Sequence, residues 1–401
     1  MKQKIATNEL AKGMYVSGLD RPWLETPFLF QGFVLRTEEE LQALRECCRY
    51  VYIDEEKGAA SRAATTHYSS AVASERKLAH PPHQKLVEEE MGAARQVRQV
   101  VETQVTELLH EARLGKNFDV KRARGVVADI VESLIRNPDA LMLLSHIRQH
   151  EKEAEAHAIN SSIMALIFGR YLQLPPQEVE ELGLAALLHD IGETAIAVEL
   201  LKNGAKNAAE ERQLQQHTKL GAYLLRKLEG MPEAVIAAAL QHHEQIDGHG
   251  YPSQLKGDEI SRAGQIMAII NTYDRITNAS GGPQLPPSEA LRYLYLYRDK
   301  LFSSELTEAF IQCLGIYPIG SIVELMNGSV GIVISIPPED HLHPRILLVL
   351  GQHKQLLEPP HIMNLAIFTK KDAGKYAIHH VHPPGSFGID ISRYLRDNSL
   401  L

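Results

Sequence analysis

Apolar side chains return with three different rhythms along this chain. From about residue 86 to residue 314 they recur every third or fourth position, the period of a helix with one buried face. Leu86, Val97, Val101, Val105 and Leu108 mark one such stretch. Val126, Val127, Ile130, Val131 and Leu134 mark a second, and Ile159, Ile163, Ile167 and Tyr171 a third. Pro175-Pro176 breaks the run before a helix over Val179 to His189, and further helices are predicted within 235–243, 266–276, 290–297 and 306–314. After Gly315 the period falls to two. Residues 321–325, 330–334 and 346–350 read as strands, joined through Asn327-Gly328 and Pro337-Pro338 turns. Ahead of residue 57 the rhythm is mixed. Met14-Tyr15-Val16, Phe33-Val34-Leu35 and Tyr50-Val51-Tyr52-Ile53 read as strands around a helix that Thr37 and Glu40 open in a capping-box pattern and that ends near Cys47.

Between Glu56 and Pro82 the composition shifts to Ala, Ser, Thr and Gly and closes on Pro81-Pro82, a linker signature. The expected fold is therefore mainly α. A small mixed α/β domain spans 1–56, a linker and long helix 57–115, a helical bundle 116–314 and a small β domain 315–401. The long helix suits either a connecting or dimerising role or ordinary packing on its own domain, and the pattern does not choose. Trp23, the single tryptophan, is assigned to core or interface.

At 401 residues the chain is long enough for several domains. A hydrophobic content of 44% and a charged content of 23% are those of an ordinary globular protein. No apolar run is long enough to span a bilayer, and the first residues lack the apolar stretch of a signal peptide. The three cysteines include the adjacent Cys47 and Cys48, a poor disulfide pair, so a reducing cytoplasmic interior is expected. A net charge of -8 argues against broad binding to nucleic-acid polymers or anionic lipid, although metal ions could still recruit an anionic substrate.

Candidate chemistry is concentrated between His189 and Pro252. His189-Asp190-Ile191-Gly192 ends a helical segment, His217 follows, and then come His242-His243-Glu244 and Asp247-Gly248-His249-Gly250-Tyr251-Pro252. Glu153 and His157, four residues apart, share one helix face upstream. Imidazole nitrogens with carboxylate oxygens suit divalent transition ions, and the lack of nearby cysteine argues against thiolate sites. Each histidine alone is an unremarkable polar side chain, so the set carries the signal. Glu153 is crowded by Glu151, Lys152 and Glu155, and a solvated helix face accounts for it as well as ligation does. His242 and His243 point about 100° apart on a helix, so both can serve only if ions or a groove lie between those directions. In the loop, Gly248 and Gly250 permit a tight turn and Pro252 stiffens its exit. Tyr251 offers a stacking face and a hydroxyl. His379, His380 and His382 form a second, looser group, read as solvated because no carboxylate stands at ligand-like spacing.

In this order, the His-Asp pair, the later paired histidines and the Gly-Tyr-Pro loop resemble the HD-GYP family of phosphohydrolases over residues 116–314. The two end regions resemble, more vaguely, accessory segments of one HD-GYP subgroup. The resemblance implies a helical bundle that binds two divalent ions, or three with Glu153 contributing, iron and manganese being favoured. It implies His157, His189, Asp190, His217, His242, His243 and Asn271 as the remaining ligands, with Asp190 bridging. Asp190, His189 and Glu193 would carry catalysis; Asp247, Gly250, Tyr251, Pro252 and Asp274 would contact substrate, with Asp274 and Tyr251 positioning either the substrate or the groups behind the ligands. The activity implied is hydrolysis of cyclic di-GMP to linear pGpG or GMP by an activated water.

Two positions depart from the family pattern. Glu193 stands where the family has Lys, and Asn271 opens Asn271-Thr272-Tyr273-Asp274 where the family has a ligand Asp. The basic and aromatic residues that usually follow are replaced by Asn278-Ala279-Ser280-Gly281-Gly282-Pro283. Asn271 can offer only an uncharged carbonyl oxygen. Glu193, four residues after His189, is expected to face the same pocket and could replace the lost carboxylate; Glu193→Gln would then lower metal occupancy. The same departures fit a weakly active or inactive member that binds cyclic di-GMP or a partner protein as a signalling module. A general nucleotide phosphohydrolase is disfavoured by the Gly-Tyr-Pro loop. A signalling partner protein and self-association are the partner classes left open.

Overall fold

The computed structural model describes residues 2–20, 33–35, 38–54, 83–116, 118–146, 153–202, 207–278, 284–337, 340, 342–368 and 374–396. Trp23, Thr37, the whole 56–82 linker and residues 279–283 lie outside these. The chain divides into two units, Met1–Leu78 and Ala79–Leu401.

Among the described residues, the first unit shows a four-stranded antiparallel sheet and one α-helix. Strands β1 (Lys2–Ala6), β2 (Tyr15–Leu19), β3 (Phe33–Val34) and β4 (Tyr50–Asp54) run in the order β1-β4-β2-β3, and α1 (Glu38–Cys47) joins β3 to β4. Leu41, Leu44 and Cys48 from the helical segment meet Val16, Val51 and Ile53 of the sheet in a closed core. Strand β1 was not anticipated. Lys2-Gln3-Lys4-Ile5-Ala6 has too little apolar alternation to announce itself, and it sits at the sheet edge, where lysines discourage further pairing.

The second unit is built on helices α2 (Val87–Arg113), α3 (Val120–Arg136), α4 (Pro138–Leu144), α5 (Glu153–Tyr171) and α6 (Pro176–Leu188). It continues with α7 (Val198–Lys202), α8 (Ala208–Arg226), α9 (Glu233–Gln241), α10 (Arg262–Asn278), α11 (Pro287–Leu296) and α12 (Ser304–Leu314). The long helix α2 packs on α3, α4 and α5 through Val87, Met91, Ala94, Val101, Val105 and Leu108, so its apolar stripe is spent within its own unit. Helix α3 starts where the Asp119 carboxylate accepts the Lys121 and Arg122 amides; α4 starts on the Asn137 side chain with Pro138 in its first turn.

Helix α5 is buried on nearly every side from His157 to Tyr171, which makes it the axis of the bundle. Its crossing with α6 is close. A Cβ on Gly183 would stand 2.5 Å from a Leu166 methyl, and the Ser162 hydroxyl donates to the Gly183 carbonyl at 2.9 Å. That close crossing draws His157 on α5 towards His189 at the end of α6.

Strands β5 (Ile322–Leu325), β6 (Val330–Ser335), β7 (Arg345–Leu350), β8 (Leu356–Asn364) and β9 (Ile378–His382) form an antiparallel sheet in the order β8-β7-β6-β5-β9. A last short helix, α13, spans Ile391–Arg396. The sheet is joined to the bundle by polar contacts. The buried Asp139 carboxylate on α4 accepts the Ser335 hydroxyl (2.6 Å) and the Ile336 amide (3.1 Å), and Arg345 forks onto Glu88 of α2 at 2.6 and 3.0 Å. His379 and His380 are exposed, as expected. His382 corrects the reading of that group: its Nε2 lies 2.7 Å from Glu324 Oε2, a carboxylate brought alongside by the β5–β9 pairing. Among the described residues no helix is long and apolar enough to cross a membrane.

Candidate metal centre

Four helices, α5, α6, α8 and α9, bring imidazoles to one carboxylate. Helix α6 stops at His189, and Asp190 takes a bridge-region backbone (φ -96°, ψ 12°) that turns its side chain into the space beside the preceding imidazole. A single 3-10 turn, Ile191–Ala195, follows and packs against α8. The contact leaves no room for a side chain at Gly192, whose added Cβ would lie 1.9 Å from the His217 carbonyl oxygen. That backbone-to-backbone approach sets His217 beside Asp190. Helix α9 delivers His242 as its C-terminal cap, and His243 follows.

The Asp190 carboxylate serves two sets of imidazoles, one per oxygen. Oδ2 lies 3.6 Å from His157 Nε2 and 3.4 Å from His189 Nε2. Oδ1 lies 3.4 Å from His217 Nε2 and 3.2 Å from His242 Nε2. His243 completes the second set, within ligand-atom reach of Asp190, His217 and His242. Within each set two ring nitrogens approach closely: His157 Nε2 to His189 Nε2 and His217 Nε2 to His242 Nε2 are both 3.2 Å.

The other ring nitrogens decide what those Nε2 atoms can do. Nδ1 of His189 faces the Ala186 carbonyl (2.8 Å), that of His217 the Leu214 carbonyl (2.6 Å) and that of His242 the Ala238 carbonyl (3.1 Å). A carbonyl only accepts, so each Nδ1 carries the proton and each Nε2 turns a lone pair inward. His157 obeys the same rule through Asp274, whose Oδ2 accepts from its Nδ1 at 2.6 Å.

Electrostatics keep all but one of these rings neutral. Burial lowers the pKa of His157 and His217, drives His242 down to about 4, and with the neighbouring His242 holds His243 well below the usual range. His189 differs: burial opposes its charge, but the adjacent Asp190 outweighs burial and raises it. Asp190 is half-buried, and although that opposes its charge, His189 and Arg275 hold it well below the ordinary carboxylate value.

This donor set fits divalent ions. Two ligand atoms each about 2.1 Å from an ion stand roughly 3.0 to 3.4 Å apart, and the His189, His217 and His242 Nε2 atoms stand 3.2 to 3.4 Å from the Asp190 oxygens. Asp190 Oδ1 is buried and has no hydrogen-bond donor in line with it, an arrangement that costs free energy unless a cation satisfies it. The ligands His157, His189, Asp190, His217, His242 and His243 expected from sequence are thus brought together.

Other expected residues fall elsewhere. Glu153 is exposed in the first turn of α5 and belongs to neither set. Asn271 is buried beside the centre, but its Oδ1 accepts from Arg275 Nε at 2.9 Å. Glu193 faces the pocket from the 3-10 turn and stands 3.6 Å from Arg275 Nη2, outside the ligand groups; burial and the nearby Asp190 raise its pKa to about 7. Asp274, expected either against substrate or behind the ligands, is buried behind His157. Both its oxygens are engaged, Oδ2 by His157 and Oδ1 by the Asn278 amide (2.8 Å), so it orients a ligand rather than touching substrate.

The Gly-Tyr-Pro loop borders the second set. Tyr251 stacks on His243 with ring centres 4.6 Å apart and planes 18° from parallel. Its amide donates to the His243 carbonyl at 3.1 Å. Gly250 lies so close beneath that a Cβ would come within 2.5 Å of Glu244 Cα and the His243 carbonyl oxygen. The Tyr251–Pro252 bond is cis. Asp247 caps the same loop by accepting the His249 amide at 3.0 Å.

Sequence reasoning overlooked three residues. Glu244 is buried and its carboxylate accepts the Ser253 and Leu255 amides at 2.7 and 3.1 Å, which clamps the loop shut. Arg98, buried on α2, donates to Asn160 Oδ1 at 3.2 Å, one turn along α5 from His157. Arg275 lies against Asp190 (2.5 Å), a contact across 85 positions that no local signal in the sequence announces.

A model of the HD domain matches residues 140–306, and a domain of unknown function (DUF3391) matches residues 2–123. The cyclic di-GMP phosphodiesterase PA4108 of Pseudomonas aeruginosa is 31% identical over 372 residues, covering 91% of this chain and 89% of that protein. A cyclic di-GMP phosphodiesterase of Thermotoga maritima is 37% identical over 138 residues, 33% of this chain and 37% of that protein. The 3'3'-cGAMP-specific phosphodiesterase 2 of Vibrio cholerae is 30% identical over 136 residues, 33% of this chain and 26% of that protein.

Proposed function

The chain belongs to the HD-GYP family, and on that premise we propose that it is a metal-dependent phosphodiesterase that opens cyclic di-GMP to linear pGpG or onward to GMP. The observation that carries this reading is a single carboxylate, Asp190, facing two sets of imidazoles, with Nε2 of His157, His189, His217 and His242 turned towards it. With only nitrogen and oxygen donors, two bound iron or manganese ions are the favoured occupants. When bound, such ions make water acidic enough to act as the nucleophile near neutral pH and offset phosphoryl charge.

The chain's own residues supply position. Asp190 joins the two halves. His157, His189, His217, His242 and His243 hold them, and Asp274 fixes the tautomer of His157. Tyr251, stacked on His243, sits where a nucleotide base or ribose approaching the centre would meet it. Glu244 keeps that loop closed against the paired histidines.

The test is incubation of anaerobically purified, metal-counted protein with cyclic di-GMP and, separately, 3'3'-cGAMP. Linear dinucleotide should form faster from cyclic di-GMP, and Asp190→Ala should reduce the rate at least a hundredfold. Tight binding of cyclic di-GMP with no cleavage under iron or manganese would overturn the enzymatic reading and leave that of a signalling module.

A further inference from the structure

We infer that Arg275 is a resident cation of the metal centre, competing with the ion of the His157–His189–Asp190 half and making that half exchangeable. The inference rests on the metal-dependent reading above.

The guanidinium spans both oxygen donors on this side of the centre. Nη2 lies 2.5 Å from Asp190 Oδ2, the oxygen turned to His157 and His189, while Nε donates to Asn271 Oδ1 at 2.9 Å. An ion entering between His157 and His189 would meet a carboxylate oxygen already neutralised and a carbonyl oxygen already engaged. It would also meet a positive charge in hydrogen-bond contact with its own ligand. The other half is free of this competition. Asp190 Oδ1 has no donor in line, and the side chains grouped with it are His217, His242 and His243.

Arg275 also has somewhere to go. Glu193 Oε1 is 3.6 Å from its Nη2, and the arginine side chain is 47% exposed, so a small swing exchanges one carboxylate for the other. The two departures at 193 and 271 then form one device. Removing the charge at 271 lets the arginine lie across the site, and adding a charge at 193 gives it a partner when an ion displaces it. Asp190 holds the arginine in the half-loaded state and Glu193 in the fully loaded state.

The experiment is titration of the metal-free full chain with Mn2+, following free ion by electron paramagnetic resonance. The wild type should bind one ion tightly and a second at least tenfold more weakly. His157→Ala should delete the weak step and spare the tight one. Arg275→Ala should tighten the weak step at least tenfold and leave the tight step alone; Arg275→Lys, which keeps the charge but loses the fork, should tighten it less. Should Arg275→Ala lose its folded melting transition, the lysine variant carries the comparison. Equal affinity for both ions in the wild type, or a weak step unmoved by folded arginine variants, would overturn the inference. Cyclic di-GMP turnover measured on the same samples separates the two claims. A two-step isotherm without turnover counts against the activity alone, and equal steps with normal turnover count against Arg275 alone.

Discussion

Glu193 shows how one side chain at this centre is tuned. Burial and the neighbouring Asp190 raise its pKa from 4.5 to about 7, while Arg275 only partly offsets them. The folded protein therefore holds a proton there that the unfolded chain has released. This contribution to stability is complete below about pH 4.5 and is lost as pH rises through about 7. A shift of that size corresponds to up to about 3 kcal/mol. The metal-free wild type should accordingly lose thermal stability between pH 5 and 8 relative to Glu193→Gln, in which the proton dependence is gone. Parallel melting curves for the two proteins across this range would show that Glu193 is not held in that way. That Glu193 faces the pocket was legible from its four-residue spacing after His189; its partner Arg275, 82 positions later, was not.

At the scale of elements, ring orientation is set by helix backbone carbonyls. His189, His217 and His242 each return Nδ1 to a carbonyl three or four residues earlier, so the helices that position the rings also choose their tautomers. The 3-10 turn after Asp190 depends on Gly192, because its backbone lies against α8 at His217. Gly192→Ala should displace His217, cost about 2–3 kcal/mol and weaken metal binding in the second half of the centre. Gly125→Ala is the matched control. Nothing lies within 4 Å of a Cβ at that site in α3, and alanine should be neutral or stabilise by about 0.5–1 kcal/mol. Chemical denaturation with metal counting checks both, and equal behaviour of the two variants would refute the packing argument.

At the scale of the whole molecule, residues 1–78 and 79–401 each carry a core of their own. Units with separate cores need not unfold together. Calorimetry of the full chain should show two transitions, and added Mn2+ should raise only the one belonging to residues 79–401, since every candidate ligand lies there. A single transition that moves as one with metal would show the units to be coupled. Within the larger unit, the terminal sheet and the long helix share the bundle's packing through Asp139 and the Arg345–Glu88 pair. No periodicity in the sequence announces such contacts, because the residues are about 200 and 257 positions apart.

By itself the sequence determined what repeats locally or stands in a fixed order: the helical and strand rhythms, the His-Asp pair, the run of later histidines and the Gly-Tyr-Pro loop. Side-chain period and backbone preference are properties of neighbours, so they can be read without knowing the fold. The tertiary structure alone decided that Asp190 splits its two oxygens between two imidazole sets, that Asp274 stands behind His157 and that Arg275 lies across Asn271 and Asp190. Those arrangements depend on distances between groups far apart in the chain, and the close crossing of α5 with α6, the seating of the 3-10 turn on α8 and the packing of α10 on α5 and α9 bring those groups within reach.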